Sequence, residues 1–331
     1  MDKNNKVLLS IFLAVCILVG GAAALVLDTF IRLPDFTQLR TKVIVPIKLA
    51  DKTWIDREMG PRTAHWVPNG QISKPIARAV IASEDTSFFS HQGIDFHELQ
   101  ESLKKDWEEK RWVRGGSTLT QQVVKNVYLS REKSLWRKFK ELVWAREIEK
   151  VLRKTEILTF YLNMAEFGPS IYGIKEAAAH YFDVTPSQIS PKQAAFLAML
   201  LPSPIKFHSY FVKKELTPFA KARVAKILRI MHRMGDLNDE EYQNALSEKL
   251  WGVAGELSGE QIQEPDANDE DDPGIVLDVL QEPMTTQGKP AEKKKTQEEI
   301  GNSQSSTEDP QSPTINDVLK EPQETTEKAE P

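Results

Sequence analysis

Two short polar stretches contain the residue types in this chain that could do chemistry. Residues 84–93 read Glu-Asp-Thr-Ser-Phe-Phe-Ser-His-Gln-Gly, and residues 116–126 read Gly-Ser-Thr-Leu-Thr-Gln-Gln-Val-Val-Lys-Asn. The first stretch sets two carboxylates beside aromatic side chains and a histidine. A carboxylate beside aromatic groups loses hydration, which raises its pKa and makes it a better general base. Glu84 is therefore a candidate general base, and the alternative is an acidic pair on a solvated surface.

The second stretch predicts the start of a helix that could bind an anion. Thr118, Gln122 and Lys125 lie at i, i+4 and i+7, which puts them on one helical face. Ser117 or Thr118 could cap the helix, and Gln121 follows Thr118 at the spacing of a capping box. Amides at a helix N-terminus together with a lysine suit a phosphate ligand. The alternative is an ordinary capped helix with a polar outer face.

A further pair of charged residues follows in the next predicted helix. Arg137 and Glu141 are four residues apart and therefore neighbours on a helix surface. A functional pair would add a second carboxylate and a second phosphate-binding cation, whereas a surface ion pair would contribute less than about 1 kcal/mol. The spacing of the histidines indicates no metal-ligand cluster, and no nucleophilic triad is visible.

An uncharged run near the N-terminus predicts a membrane anchor. Residues 7–27 would form a helix spanning roughly 30 Å, enough to cross a bilayer once. Lys3 and Lys6 precede it, which favours a cytoplasmic N-terminus and an outward-facing remainder. The alternative is a cleaved signal peptide, whose apolar core is usually about 7–15 residues. Cys16, the only cysteine, lies inside this run, so no disulfide is expected outside it.

The charge of the chain is divided unevenly between two parts. Residues 256–331 contain 20 acidic and 6 basic residues, a net charge of −14, whereas the remainder has a net charge of +9. A basic surface attracts anionic headgroups or phosphorylated substrates. The acidic part is too poor in apolar residues to fold, which predicts disorder. It repeats Asp278–Pro283 as Asp317–Pro322, which indicates either chance or a pair of docking motifs for one partner.

The apolar pattern between these two ends predicts a mainly α-helical domain. No regular alternation of strands and helices is visible, which argues against an open parallel sheet. Residues 43–47 could form a short strand, and 104–114 mix tryptophan with basic residues as at a membrane interface or on an exposed amphipathic helix. The predicted helices cover residues 76–82, 136–150, 157–164, 177–182, 194–201 and 220–234. The predicted domains are 1–30 (stub and anchor), 31–70 (linker), 71–254 (helical domain) and 255–331 (tail).

Taken together, the motifs resemble those of the peptidoglycan glycosyltransferases of family 51, and the anchor with a single module resembles the family's monofunctional biosynthetic members. The resemblance covers roughly residues 66–207. The matching motifs are Glu-Asp-x-x-Phe-x-x-His-x-Gly at 84–93, Gly-Ser-Thr-Leu-Thr-Gln-Gln at 116–122, Arg-Lys-x-x-Glu at 137–141, Tyr-Leu-Asn at 161–163 and Leu-Pro-Ser-Pro at 201–204. Five motifs in the family order are a specific signal, whereas any one alone would not be.

The resemblance implies a lysozyme-like, two-lobed helical fold in the bacterial inner membrane, with its catalytic domain facing the periplasm. It implies polymerisation of lipid II into β-1,4 glycan strands, with inversion and release of undecaprenyl pyrophosphate. The implied partners are lipid II, the growing glycan strand and membrane lipid, and no nucleic acid. Cell-wall synthesis proteins are candidate partners of the C-terminal tail.

The resemblance also assigns roles to residues of this chain. Glu84 would take the proton from the 4-hydroxyl of the incoming sugar, and Glu141 would order the donor side. Lys125 and Arg137 would stabilise the departing pyrophosphate, with a divalent cation such as Mg²⁺ or Mn²⁺ as a candidate aid and no protein metal site expected. The positions that would shape the substrate cleft are Asp85, Phe88, His91, Thr118 and Gln122.

Three positions depart from the family pattern. Thr159 and Gln193 stand where glutamate is common, and Ser170 stands where glycine is common. These departures motivate one alternative, a catalytically silent scaffold that binds lipid II or glycan. A lysozyme-like lytic enzyme is the other alternative. A bifunctional enzyme with a serine transpeptidase is excluded, because no Lys-Thr-Gly motif occurs.

Overall fold

The computed structural model of the chain describes residues 3–109, 116–132 and 134–251. Within these residues the chain is mainly α-helical, as predicted, with two small antiparallel sheets. The helices are α1 Lys3–Ile31, α2 Lys74–Glu84, α3 Phe96–Glu109, α4 Leu119–Tyr128, α5 Leu135–Val151, α6 Lys154–Met164, α7 Ile174–Phe182, α8 Pro191–Leu200, α9 Pro204–Lys213, α10 Pro218–Arg233 and α11 Asp239–Ser247. The strands are β1 Val43–Lys48 paired with β2 Trp54–Met59, and β3 Glu166–Gly168 paired with β4 Ile171–Tyr172.

The core forms around α8, which packs against α2 and α10. Residues 194–200 of α8 are all apolar and all buried, as expected for a helix that is surrounded by protein. Ile76, Val80 and Ile81 of α2 are also fully buried. This packing fixes the C-terminal end of α2, where Glu84 lies.

The hairpin of β1 and β2 is built into the same core. β1 packs on α4, and α4 in turn packs against α5 and α6. Val45, Ile47 and Met59 of the hairpin are buried together with Phe36 and Leu39, which precede it. The strand expected at 43–47 is therefore present, and the segment that the sequence sets apart as a linker contributes to the folded domain.

The apolar helix α1 is long and apolar enough to cross a membrane, by length and composition. Its 29 residues extend about 44 Å. Its end contacts α5 through two polar interactions. Lys140 Nζ lies 2.9 Å from a carboxylate oxygen of Asp28, and Trp144 Nε1 donates to the backbone oxygen of Thr29 at 3.0 Å.

Two sequence predictions fall wholly or partly outside the described residues. The stretch at 104–114 continues α3 as far as Glu109, and its remaining residues lie outside. The acidic tail at 255–331, with its repeated motif, also lies outside the described residues.

Candidate active site

Glu84 is the last residue of α2, and a glutamine from α4 holds its carboxylate. Gln122 Nε2 donates to Glu84 Oε2 at 3.0 Å. The hydroxyl of Tyr161 on α6 donates to Gln122 Oε1 at 3.2 Å, which fixes the orientation of the amide. The side chain of Glu84 is thereby oriented by Gln122 of α4, which is held in turn by Tyr161 of α6.

Burial raises the pKa of Glu84 above its ordinary value. The hydrogen bond from Gln122 and the charges of Arg223 and Lys125 oppose that rise, because all three favour the ionised carboxylate. Burial and the nearby charge of Glu84 also raise the pKa of Tyr161, so its phenol stays protonated and acts as a donor. A half-buried carboxylate with a raised pKa suits a general base.

Lys125 lies one turn beyond Gln122 on α4 and interacts electrostatically with both candidate carboxylates. Burial lowers its pKa, and the charges of Glu141 and Glu84 oppose that shift, whereas Lys138 and Arg137 reinforce it. Within the described residues Lys125 makes no hydrogen bond or ion pair. Its ammonium group is therefore available to bind an anion in this region.

Glu141 is buried on α5 and is held by two cations from its own helix. Lys138 Nζ lies 2.6 Å from Glu141 Oε1, and Arg137 Nη1 lies 3.5 Å from Glu141 Oε2. Lys138 also donates to Ser117 Oγ at 3.0 Å and to Gln121 Oε1 at 3.2 Å. The predicted neighbour pair is present, but Lys138 is the closer partner of Glu141. The i, i+3 spacing of Lys138 and Glu141 within Arg-Lys-x-x-Glu at 137–141 was the signal that could have identified this contact.

Three residues expected to shape the cleft are turned into the protein interior. Asp85 accepts from the backbone nitrogen of Leu119 at 2.9 Å and contacts His91 Nε2 at 2.9 Å. Both of these side chains are almost fully buried, and Phe88 is completely buried. Asp85 and His91 therefore join the end of α2 to the start of α4.

Thr118 caps the N-terminus of α4, as predicted, but the reciprocal half of the capping box does not form. Thr118 Oγ1 accepts from the backbone nitrogen of Gln121 at 3.2 Å and donates to the oxygen of Gly93 at 2.8 Å. The Gln121 side chain donates to the same Gly93 oxygen instead of turning back to the cap. Gly93 has a φ of +80°, and a Cβ there would lie 2.1 Å from the oxygen of Ala145, so only glycine fits.

Arg223 on α10 is a residue of this region that the sequence did not reveal. Its side chain is buried beside the rings of Phe207 and Phe219, and its charge acts on Glu84. Arg223 comes more than a hundred residues after Glu84 and belongs to none of the five motifs, so no local pattern connects the two.

All three departures from the family pattern have local structural roles. Thr159 Oγ1 donates to the oxygen of Thr155 at 2.7 Å and contacts Asn69, so its bonds go to the scaffold. Gln193 forms a complete capping box with Ser190 at the start of α8, which glutamate would form equally well.

The structure shows how serine is accommodated at position 170, where glycine is common in the family. Ser170 has a φ of +62°, in the left-handed region that favours glycine. Its Oγ accepts from the backbone nitrogen of Ala50 at 2.7 Å, a hydrogen bond that glycine could not make. The side chain therefore offsets part of the backbone strain and joins the turn between β3 and β4 to the β1–β2 hairpin.

A transglycosylase family model matches residues 52–232, which is more than half of the chain and includes every site residue named above. The chain belongs to the transglycosylase family. A biosynthetic peptidoglycan transglycosylase of Nitrosospira multiformis is 39% identical over 163 residues, covering 49% of this chain and 69% of that protein. One of Bordetella avium is 39% identical over 180 residues, covering 52% of this chain and 71% of that protein.

A third relative of the same name, from Alcanivorax borkumensis, is 47% identical over 139 residues, covering 42% of this chain and 57% of that protein. The resemblance seen in the sequence motifs is thus confirmed. α1 and residues 252–331 lie outside the range of the family match.

Proposed function

We propose that this protein is a membrane-anchored peptidoglycan glycosyltransferase that polymerises lipid II into β-1,4 glycan strands. The observation that carries the proposal is the arrangement around Glu84. Its half-buried carboxylate has a raised pKa, is oriented by Gln122, and shares its surroundings with the unpaired ammonium group of Lys125. A sugar hydroxyl needs a base and a departing pyrophosphate needs cations, and this site offers both.

In the proposed reaction, Glu84 accepts the proton of the 4-hydroxyl of the incoming lipid II sugar. The oxygen attacks the anomeric carbon of the growing strand from the face opposite the pyrophosphate. The bond from the anomeric carbon to the pyrophosphate oxygen breaks as the new bond forms, which inverts the configuration. Undecaprenyl pyrophosphate leaves with the bonding electrons.

Lys125 and Arg137 are the proposed ligands of the departing pyrophosphate. Glu141 holds Arg137 and Lys138 on one side of the site, and its buried charge is balanced by both. Glu141 thereby orders the donor side by positioning cations rather than by moving a proton. Preorganised cations of this kind stabilise developing negative charge without further rearrangement.

A divalent cation would have few protein ligands in this site. Among the described residues, no group of three or more histidine, cysteine, aspartate or glutamate side chains could hold a metal ion. Glu141 is already engaged by Lys138 at 2.6 Å. A Mg²⁺ or Mn²⁺ ion would therefore be held chiefly by the substrate's own phosphate oxygens, as Mg²⁺ commonly is. We expect chelators to lower the rate without lowering the melting temperature.

The proposed location is the inner membrane, with the domain facing the periplasm. α1 supplies the anchor, and its end is joined to α5 at Lys140. Close by on α5, Leu135 is 82% exposed and the rings of Trp136 and Phe139 stack 5.2 Å apart. Tryptophan beside basic residues suits the level of the headgroups, where lipid II is presented. Cell-wall synthesis proteins remain proposed partners of the tail, which lies outside the described residues.

The structure favours synthesis over the two alternatives weighed from the sequence. A lytic enzyme acts on a neutral glycan and has no use for a cation such as Lys125, whose charge acts on the base. A silent scaffold was motivated by Thr159, Ser170 and Gln193, whose hydrogen bonds go to the scaffold of the fold and not to Glu84 or Lys125.

The test is to incubate the purified full-length protein in detergent with labelled lipid II and, separately, with intact sacculi. The proposal predicts a high-molecular-weight product from lipid II that a muramidase digests, and release of undecaprenyl pyrophosphate. Solubilised sacculi without polymer would establish the lytic alternative. Binding of lipid II without turnover would establish the scaffold.

A further inference from the structure

A row of buried charged and polar side chains begins at Asp85, the residue that follows Glu84. It consists of Asp85, His91, Lys154 and Glu149, called here the buried relay. His91 Nε2 lies 2.9 Å from Asp85 Oδ1, Lys154 Nζ lies 3.5 Å from His91 Nδ1, and Lys154 Nζ lies 2.7 Å from Glu149 Oε1. Their side chains are exposed by only 2%, 8%, 16% and 6% in that order.

The neighbours of His91 select one tautomer of its ring. The carboxylate of Asp85 requires a proton on Nε2, because a carboxylate only accepts hydrogen bonds. The ammonium group of Lys154 faces Nδ1, the other ring nitrogen. The two contacts therefore orient the ring, with the proton that Asp85 accepts on Nε2.

The position of Lys154 is itself determined by the fold. It is the first residue of α6, its ammonium group lies 4.4 Å from the centre of the buried Phe88 ring, and Glu149 near the end of α5 neutralises it. Burial lowers the pKa of Lys154, and the charge of Glu149 opposes that shift. Thr120 of α4 donates to the same Glu149 oxygen at 2.5 Å, which connects the relay to a third helix.

The relay connects the end of α2, which carries Glu84, with α4, which carries Gln122 and Lys125. At one end, Asp85 follows Glu84 directly and accepts from the backbone nitrogen of Leu119, the first residue of α4. Gln122 and Lys125 lie on that same helix. A small rotation at Asp85 would therefore move Glu84 relative to Gln122.

We propose that Lys154 is a positioning residue for the catalytic base and acts through His91 and Asp85. This inference rests on the proposed function of Glu84. It differs from the expectation drawn from the family resemblance, in which Asp85 and His91 shape the substrate cleft. Here they are buried, and their hydrogen bonds go to the protein.

The first experiment compares two substitutions of His91. A glutamine amide can donate to Asp85 and accept from Lys154, so His91→Gln preserves the relay, whereas His91→Leu breaks it. We expect His91→Gln to retain kcat within about threefold and His91→Leu to lose about 10–100-fold, as expected for a misplacement of about 1 Å. KM for lipid II should stay nearly constant in both. Equal losses in the two variants, or a loss confined to KM, would mean that His91 itself contacts substrate and would overturn the proposal.

The second experiment removes the cation without leaving a buried charge. The double variant Lys154→Met with Glu149→Gln breaks the relay at Lys154. Its matched control is Lys150→Met with Glu147→Gln, which removes an exposed ion pair of 2.6 Å from the same region. Rates are compared per folded molecule, measured by near-UV circular dichroism. We expect kcat to fall about 10–100-fold in the test variant and to stay unchanged in the control. Unchanged kcat in the test variant would overturn the proposal.

A spectroscopic readout is independent of activity. In the wild-type protein, the ¹⁵N resonances of His91 should show a proton on Nε2, the nitrogen that faces Asp85. In the Lys154→Met, Glu149→Gln variant the Nδ1 resonance should change, because Nδ1 loses its contact with the ammonium group. A spectrum that the double substitution leaves unchanged would overturn the relay even if the enzyme is active. An inactive wild-type enzyme with the expected spectra would instead refute the proposed function of Glu84.

Discussion

At the scale of single residues, the behaviour of Glu84 depends on a balance between burial and its neighbours. Burial raises its pKa, and the hydrogen bond from Gln122 is the largest of the interactions that lower it. A base of this kind is strongest when its pKa approaches the working pH, provided that it remains ionised. Gln122 therefore keeps the pKa of Glu84 below the value that burial alone would give.

Replacing Gln122 with leucine should move the acid limb of the pH–rate profile to higher pH. The substitution removes a hydrogen bond to the ionised form of Glu84, so the pKa of the base rises and more alkaline conditions are needed to ionise it. The measurement is kcat/KM for lipid II between pH 5 and 9, with Asn126→Leu on the exposed face of α4 as the control. A limb that stays in place or moves to lower pH would disprove this role for Gln122.

Replacing Glu84 with glutamine should stabilise the fold at alkaline pH. The pKa of Glu84 is higher in the folded than in the unfolded state, so ionisation of Glu84 destabilises the folded protein. That penalty is absent below both pKa values. It develops as the pH rises past the pKa of Glu84 in the unfolded state and then through its pKa in the folded state. Thermal melting should show a higher Tm for Glu84→Gln than for wild type at pH 8 and equal Tm values near pH 4. The exposed Glu132→Gln should show no difference, and a lower Tm for Glu84→Gln at pH 8 would contradict the account.

At the scale of secondary-structure elements, the turn between β3 and β4 shows how this chain accommodates a departure from its family. Ser170 keeps a left-handed backbone where glycine is common, and its hydroxyl binds the backbone of Ala50. The departure is therefore compensated locally and gives no reason to expect an inactive enzyme.

Two substitutions at Ser170 separate the strain from the hydrogen bond. Ser170→Ala keeps the strained backbone and loses the bond, whereas Ser170→Gly loses the bond but relieves the strain. A left-handed backbone costs a non-glycine residue roughly 1–2 kcal/mol. We therefore expect urea denaturation to show Ser170→Ala to be less stable than Ser170→Gly by about 1 kcal/mol. The opposite order would mean that the backbone at this turn is not strained.

The elements also show what the sequence could predict. Apolar periodicity predicted α5, α6, α8 and α10, because each helix buries a stripe or its whole surface. Motif order and the family resemblance predicted Glu84 as the base and Gln122 as a residue that shapes the substrate cleft. The partnership of Glu84 with Gln122 across 38 residues, the closer contact of Lys138 with Glu141, and the approach of Arg223 depend on helix packing between distant segments. No local pattern carries that information.

At the scale of the whole molecule, the site residues lie between Glu84 and Arg223, within the residues that match the family model. The apolar helix α1 is joined to α5, the helix that carries Arg137 and Glu141, through Lys140 and Trp144. Because α1 is joined to the helix that carries two of the site residues, we expect detergent or lipid around α1 to affect catalysis more than removal of residues 256–331 does.

Deleting residues 256–331 should leave polymerisation in detergent intact. Trp251, the last described residue, packs against Phe196 and Phe211 and is retained in this truncation. We expect turnover of lipid II within about twofold of the full-length rate, measured at equal concentrations of folded protein. A loss of turnover would mean that the tail contributes to the site.

The central claim is that Glu84 is the proton acceptor of the polymerisation reaction. The most direct measurement is the single-turnover rate of lipid II polymerisation by Glu84→Gln, with binding of lipid II and the far-UV spectrum measured on the same sample. General base catalysis contributes about 10²–10⁴-fold, so the variant should bind lipid II, keep its fold and lose at least about 100-fold in rate. A folded Glu84→Gln variant that forms glycan strands at the wild-type rate would contradict the account.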